Sequence, residues 1–442
     1  MRNYTKKISS SQIIILGFAA VILTGSLLLM LPFASRGAGG ASFSDALFTA
    51  VSAVCVTGLA VQDTATYWST FGQAIILLLI QIGGMGVMTI AVTAVIASGK
   101  KIGLKQRSIM QEAISAPRVA GIVKLTGFIF IMTLAFELIG AFALSFAFCK
   151  EFGLGKGIWY SIFHSISAFC NAGFDLMGVK EPFSSLTSFS GNVLVNIVIM
   201  ALIVVGGIGF LTWADIRTNK FHFQKYQMQS KAILLTTLLL ILLPALFFFF
   251  LEFSDMELKD RLLCSFFQSV TTRTAGYNTV DFNQMSDNGI AVMTILMLIG
   301  GSPGSTAGGM KTTTVVVLVC TAVCVFQQKA SAHCFKRRIA EETIRNAATI
   351  VTMYVLLFLF GSLAISEIEN LPLMDCLFET ASAIGTTGLT LGITTKLGLI
   401  SRIILMLLMY FGRVGGLTLI FATVASKKTS VTMFPQEKMT VG

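Results

Sequence analysis

The chain has 442 residues, of which 55% are hydrophobic and only 12% charged. Soluble domains carry about 25% charged residues, so a water-soluble core is excluded. The net charge of +11 does not point to nucleic acid, because the basic residues sit in particular loops rather than in one patch.

Apolar runs of about 20 residues cross a bilayer core. Here they fall at 13–31, 71–98, 193–214, 232–251 and 346–366, which reads as an all-α polytopic membrane protein. The first run exceeds the about 7–15 residues of a signal-peptide core, so it is taken as a span. Arg2, Lys6 and Lys7 precede it. The next linker carries Lys100, Lys101, Lys105, Arg107, Arg118 and Lys124 against Glu112. A second linker has Arg217, Lys220, Lys225 and Lys231 against Asp215, and a third has Lys329, Lys336, Arg337, Arg338 and Arg345 against Glu341 and Glu342. Alternate loops hold acids such as Glu252, Asp255 and Glu257. Basic loops stay in the cytoplasm, which places both termini and these linkers inside.

Four polar pieces interrupt the apolar pattern and align on Gly58, Gly173, Gly276 and Gly388. Ten residues before each glycine stands Phe48, Phe163, Phe266 or Phe378; six before stand Ser52, Ser167, Val270 and Ser382. A glycine pair follows each: Gly83-Gly84, Gly206-Gly207, Gly300-Gly301 and Gly415-Gly416. Recurrence at fixed register marks an internal repeat. Each unit reads as a span, a short helix, a polar turn and a second span, roughly 11–33, 43–54, 55–60 and 71–98 in the first. A short helix of about 10–12 residues cannot cross, so it enters from outside and turns back. The units are expected at 11–98, 125–214, 229–326 and 345–425, with a cytosolic tail at 426–442. That gives eight transmembrane helices and four re-entrant loops around one pseudo-fourfold pore.

Unpaired backbone at membrane depth needs protein or a water-filled cavity around it. Four equivalent turns satisfy this together by pointing carbonyls at a shared axis, where such oxygens replace a cation's water shell. Glycine supplies the backbone angles that other residues avoid, and the short helices direct their negative C-terminal ends to the same axis. The triplets assigned to this cation-coordinating filter are Val56, Thr57, Gly58; Asn171, Ala172, Gly173; Thr274, Ala275, Gly276; and Thr386, Thr387, Gly388.

The pieces VTGL (56–59), NAGF (171–174), TAGY (274–277) and TTGL (386–389), with GGSPGSTAGGMKTTT (300–314) and YFGRVGGLTL (410–419), resemble the Trk/Ktr/HKT superfamily of potassium transporters, the bacterial Ktr membrane subunit in particular. The resemblance implies potassium uptake in a bacterial plasma membrane, a membrane homodimer and a cytosolic nucleotide-binding ring that gates it. It also implies a gating loop in the third unit: Gly301, Ser302, Gly304, Ser305, Gly308 and Gly309. Glycines and Pro303 make a continuous helix improbable there, and the two readings are a kink or a movable flap. Lys311 supports the loop or faces the vestibule. Arg413, a costly charge in an apolar span, is either paired or a positive barrier under the ring; the resemblance favours the barrier.

No covalent cofactor is expected; K+ is the transported ion, with Na+ a second candidate. The eight cysteines lack metal spacing, and Cys320 and Cys324 read as packing. GGIG and GGMG lie inside spans without a following βαβ pattern, so the nucleotide that the resemblance implies would act through a separate partner; the basic linkers are either its docking surface or simply cytoplasmic loops. Asp63, Asp175 and Asp281 either focus cations at the outer mouth or are ordinary loop acids. Glu137 and Glu379 read as structurally paired, and His164 as packed. Only the third turn has Tyr277 after its glycine, where Leu59, Phe174 and Leu389 stand in the others, so a less selective or sodium-conducting translocator is the alternative. An alternating-access carrier would favour inverted repeats, and three scattered histidines supply no catalytic set.

Overall fold

The structure, a computed structural model, describes residues 9–37, 39–87, 89–90, 103–114, 120–220 and 222–423. Arg2, Lys6, Lys7, Lys100, Lys101, Arg118, the stretch 91–98 and the tail 426–442 lie outside the described residues.

Helix α1 (Ser10–Leu29) opens on a capping box, with Ser9 accepting from the Gln12 N–H and Gln12 from the Ser9 N–H. Then come α2 (Phe43–Cys55), capped by Ser42, and α3 (Thr70–Met85), capped by Ser69. After the linker helix α4 (Leu104–Ile114), the pattern recurs as α5 (Ile122–Phe152), α6 (Leu154–Phe169), α7 (Val193–Gly207) and α8 (Phe210–Asn219). It recurs as α9 (Met228–Phe247), which runs into a π turn at Phe248–Glu252, then α10 (Leu258–Thr271), α11 (Asp287–Leu298) and α12 (Thr312–Phe326). A small hairpin, β1 (His333–Cys334) with β2 (Arg337–Arg338), leads to α13 (Glu341–Glu369), α14 (Leu373–Gly385), α15 (Leu399–Val414) and α16 (Gly416–Thr423).

Among the described residues, four helices are long and apolar enough to cross a bilayer unaided: α1, α5, α9 with its π turn, and α13. They leave large apolar side chains such as Leu27, Leu138, Leu243 and Phe360 exposed for lipid. The short helices are the opposite case. In α2 every residue from Phe48 to Cys55 is buried, and α14 is buried from Cys376 to Gly385 apart from one position. The short helices are the core around which the long ones stand.

The second span of each unit is broken, where the sequence reading expected a break only in the third. The break falls at Gly86 (φ 84) after α3, at Gly209 (φ 93) between α7 and α8, and at Gly415 (φ 88) after α15. The bend between α7 and α8 is 94°. Three residues before each break lies a close approach. A Cβ on Gly83, Gly206 or Gly412 would overlap the carbonyl oxygen of Val54, Phe169 or Ile384, each near the end of that unit's own short helix. The fourth-unit counterpart of Gly83 is therefore Gly412, not Gly415, and Arg413 stands at the register of Gly84 and Gly207.

Closure is cyclic. Helix α3 packs on α6, α7 on α10, α11 on α14, and α15 returns to α2. One face of this ring carries the loops that follow the short helices; the other carries α4 and the hairpin.

Candidate functional site

One to three residues after each short helix comes a residue held left-handed although it is not glycine: Val56 (φ 57), Asn171 (φ 58), Thr274 (φ 61) and Thr386 (φ 52). Two residues on, the glycine is left-handed again: Gly58 (φ 94), Gly173 (φ 69), Gly276 (φ 81) and Gly388 (φ 91). The residue between, Thr57, Ala172, Ala275 or Thr387, is not. Alternating the hand of successive residues turns their carbonyls towards one side. A β-branched residue in this region is a genuine outlier and costs of order 1–3 kcal/mol, so the surroundings hold it there.

The four glycines meet. A Cβ on Gly58 would lie 2.5 Å from the Ala172 carbonyl oxygen, one on Gly173 2.8 Å from that of Ala275, and one on Gly276 2.5 Å from that of Thr387. One on Gly388 would overlap that of Thr57, which closes the circle. The Gly276 position also reaches across to Thr57 O, at 3.3 Å. Each triplet therefore lies against the next, around a narrow axis. The buried hydroxyls of Thr57, Thr274, Thr386 and Thr387 have no hydrogen-bond partner among the described residues.

Hydroxyls on the short helices hold the turns. Ser52 Oγ accepts from Gly58 N–H at 3.1 Å and Ser382 Oγ from Gly388 N–H at 2.9 Å. Ser167 Oγ donates to Phe174 O at 2.7 Å. In the third unit the equivalent bond runs from Thr271 Oγ1 to Tyr277 O at 2.5 Å, and Phe267 rather than Phe266 is the fully buried aromatic. The third turn is thus one residue shorter, and Thr271, not Val270, is the counterpart of the serines.

Below the ring, α11 ends at Leu298 and α12 begins at Thr312. The intervening loop is tied on every side. Gly301 N–H donates to Gly308 O at 3.2 Å, Ser302 N–H to Gly207 O at 3.0 Å, Gly309 N–H to Gly412 O at 3.1 Å, and Gly304 O accepts from Phe210 N–H at 2.6 Å. Ser305 Oγ donates to Ser302 O at 2.7 Å. A Cβ on Gly308 would overlap the Thr386 hydroxyl, and one on Gly309 would lie 2.7 Å from Gly385 O. Lys311 Nζ donates to Ala307 O at 2.8 Å. Arg413 donates to the carbonyls of Thr306 and Gly83, and to Gly84 O at 2.9 Å. Its guanidinium so bridges the loop to the broken end of α3. Lys311 and Arg413 also line a cavity of ≈ 250 Å³ with Gly84, Ile114, Gly304 and Gly415.

The loop acids do not behave as solvated charges. Asp63 is buried and accepts from the N–H groups of Ala65 (3.1 Å), Thr66 (2.8 Å) and Phe183 (3.0 Å), which joins the first and second units. Asp175 accepts from Met177 N–H at 2.9 Å. Burial pushes its carboxyl up to about 7 against that N–H, and the nearby Asp63 carboxylate adds to the rise. Only Asp281 is exposed, and it caps a short turn at Asn283. Glu137 accepts from Gln81 Nε2 at 3.3 Å, and Glu379 from the Thr390 hydroxyl at 2.8 Å and from Thr394. His164 lies between Tyr160 O (2.7 Å) and Leu176 N–H (3.3 Å). Arg273, to which the sequence reading gave no role, is buried one residue before the third triplet, and none of its guanidinium nitrogens has a hydrogen-bond partner among the described residues.

An all-α membrane protein that gathers polar backbone on one axis is a transport protein by class. The sequence profile of TrkH, described as cation transport protein, matches residues 6–432, so the chain belongs to that family. The potassium/sodium uptake protein NtpJ of Enterococcus hirae is 40% identical over 452 residues, covering 100% of this chain and 99% of its own. The Ktr system potassium uptake protein B of Bacillus subtilis is 38% identical over 426 residues, covering 95% and 94%. The crystal structure of the potassium transporter TrkH from Vibrio parahaemolyticus superposes with a TM-score of 0.74 at 19% identity, covering 96% of this chain and 86% of that one. The chain is a multi-pass cation transport protein and not an enzyme.

Proposed function

We propose that the chain takes up potassium across the plasma membrane of a bacterium through one pore formed by four tandem units, near 11–98, 125–214, 229–326 and 345–425. The carbonyls of the four triplets replace water around the ion, and uptake is driven by the membrane potential. The observation that carries this reading is the cyclic contact of Gly58, Gly173, Gly276 and Gly388 with the carbonyl oxygen of the next triplet. The loop 301–309, with Lys311 and Arg413, shuts the path beneath. The loop face looks outward and both termini inward, in keeping with the basic linkers and with the acidic cavity of ≈ 730 Å³ lined by Glu181, Glu252, Asp255, Glu257, Asp260 and Asp281. Two copies form the membrane dimer, and a separate cytosolic nucleotide-binding ring docks on the linkers and moves the loop.

Sodium is the competing ion. The side chains behind the glycines differ, as Leu59, Phe174, Tyr277 and Leu389, and one relative bears both ions in its name. The decisive experiment is growth of a potassium-uptake-deficient bacterium at low potassium, with and without the cytosolic subunit. Rescue supports potassium uptake. No rescue, with sodium influx instead, favours the alternative.

A further inference from the structure

The loop and the ring are not merely stacked; they share a buried amide. Asn171 opens the second triplet. Its Oδ1 faces the Thr306 hydroxyl at 3.0 Å, and that hydroxyl divides its single proton between Asn171 and Phe169 O, also at 3.0 Å. On its other side, Asn171 Nδ2 donates to Arg273 O at 3.2 Å and Ile203 O at 3.4 Å. The two carbonyls fix the amide's orientation, because an oxygen turned towards them would find no donor. Arg273 O belongs to the peptide that leads into left-handed Thr274. One side chain of the second triplet so touches both the peptide leading into the third triplet and the loop. Both Asn171 and Thr306 are fully buried.

Thr306 itself is held at three points. Its N–H donates to Gly206 O at 3.3 Å, its carbonyl accepts from Arg413, and its hydroxyl meets Asn171. Any movement of the loop that frees the first two also withdraws the third. A buried amide oxygen left without a donor is unfavourable, so Asn171 then reorients. Its backbone, left-handed only because its surroundings hold it there, moves with it, and so does its bond to Arg273 O.

We propose that Asn171 is a positioning residue that couples the loop to the filter, so that ion discrimination depends on whether the loop is shut. This rests on the reading of the triplets as a filter and of residues 301–309 as a movable flap. Discrimination between ions, rather than the rate alone, should therefore respond to a change in a loop side chain that touches no ion.

The test is the concentration of Na+ that halves Rb+ uptake by cells expressing the full chain with its cytosolic partner. Thr306→Val removes the hydroxyl at nearly constant volume and should shift that concentration about fivefold, as expected for one hydrogen bond. Thr306→Ser keeps the hydroxyl and should restore the parent value. Asn171→Ala should shift the ratio too, and adding Thr306→Val to it should bring no further shift. Thr306→Ala serves in place of valine if that variant fails to reach the membrane. A changed uptake rate with an unchanged Na+/Rb+ ratio would overturn the coupling while leaving the filter reading intact. Failure of the filter reading has a separate signature: Gly276→Ala would then alter neither rate nor ratio.

Discussion

Arg402 of α15 donates to the Asp45 carboxylate of α2 at 3.0 Å, with both side chains four-fifths or more buried. The same guanidinium also donates to Leu397 O at 2.9 Å. This pair joins the last unit to the first. Removing one partner of a largely buried pair should cost about 1–3 kcal/mol, between the values for exposed and fully buried pairs. Arg402→Ala and Asp45→Asn should each lower the unfolding temperature of the detergent-purified protein. The double variant should lose less than the sum, and Arg402→Lys should recover only part, since it lacks the fork. Additive losses would show that the two residues act separately.

The ring glycines should not tolerate a methyl group equally. Gly388→Ala puts a Cβ onto Thr57 O, whereas Gly173→Ala places one 2.8 Å from Ala275 O. Rb+ uptake should fall in both variants, by about tenfold or more in the first and less in the second, because backbone must shift at each and further at Gly388. Uptake unchanged in all four glycine variants would remove these residues from the path.

Arg413 is expected to keep the loop shut. Arg413→Ala deletes the donors that hold Thr306, Gly83 and Gly84. Basal Rb+ flux without the cytosolic partner should rise severalfold, and deletion of 303–307 should raise it further. Arg413→Lys, with one ammonium for three carbonyls, should fall in between. A drop in flux for Arg413→Ala would mean that the charge attracts or positions ions rather than blocks them.

Asp175 predicts a pH dependence of stability. Burial pushes its carboxyl up to about 7, above the ordinary value of about 3.9, so the folded protein holds a proton that the unfolded chain releases. The contribution to stability is complete below about pH 4, declines as pH rises towards 7, and is absent above it. Asp175→Asn should flatten the change in unfolding temperature between pH 4 and 8 relative to the parent. An identical pH profile in the two proteins would refute this.

Much of this architecture could be read from spacing. The four glycines, the short helices before them and the interrupted third span all follow from residue type at fixed register. Other parts left weaker signals. GGMG, GGIG and GRVG at 83–86, 206–209 and 412–415 share a Gly-x-x-Gly pattern that marks both the close approach and the break; matching glycine pairs instead hid the place of Arg413. Val270 among three serines was the sign of a shortened turn, with Thr271 beside it. The left-handed state of Val56, Asn171, Thr274 and Thr386 was not legible, because surroundings rather than residue type impose it. Nor was the contact of Asn171 with Thr306, which only the closed ring brings together.

Because the ring is one polypeptide, its quarters can differ. Arg413 occupies the register that Gly84 and Gly207 hold in the first two units. In an assembly of four identical subunits the same change would crowd four guanidinium groups around one axis, where like charges a few ångströms apart repel strongly in a low dielectric. A single chain needs only one copy, whose guanidinium ties Thr306 to Gly83 and Gly84 without other copies of itself facing it.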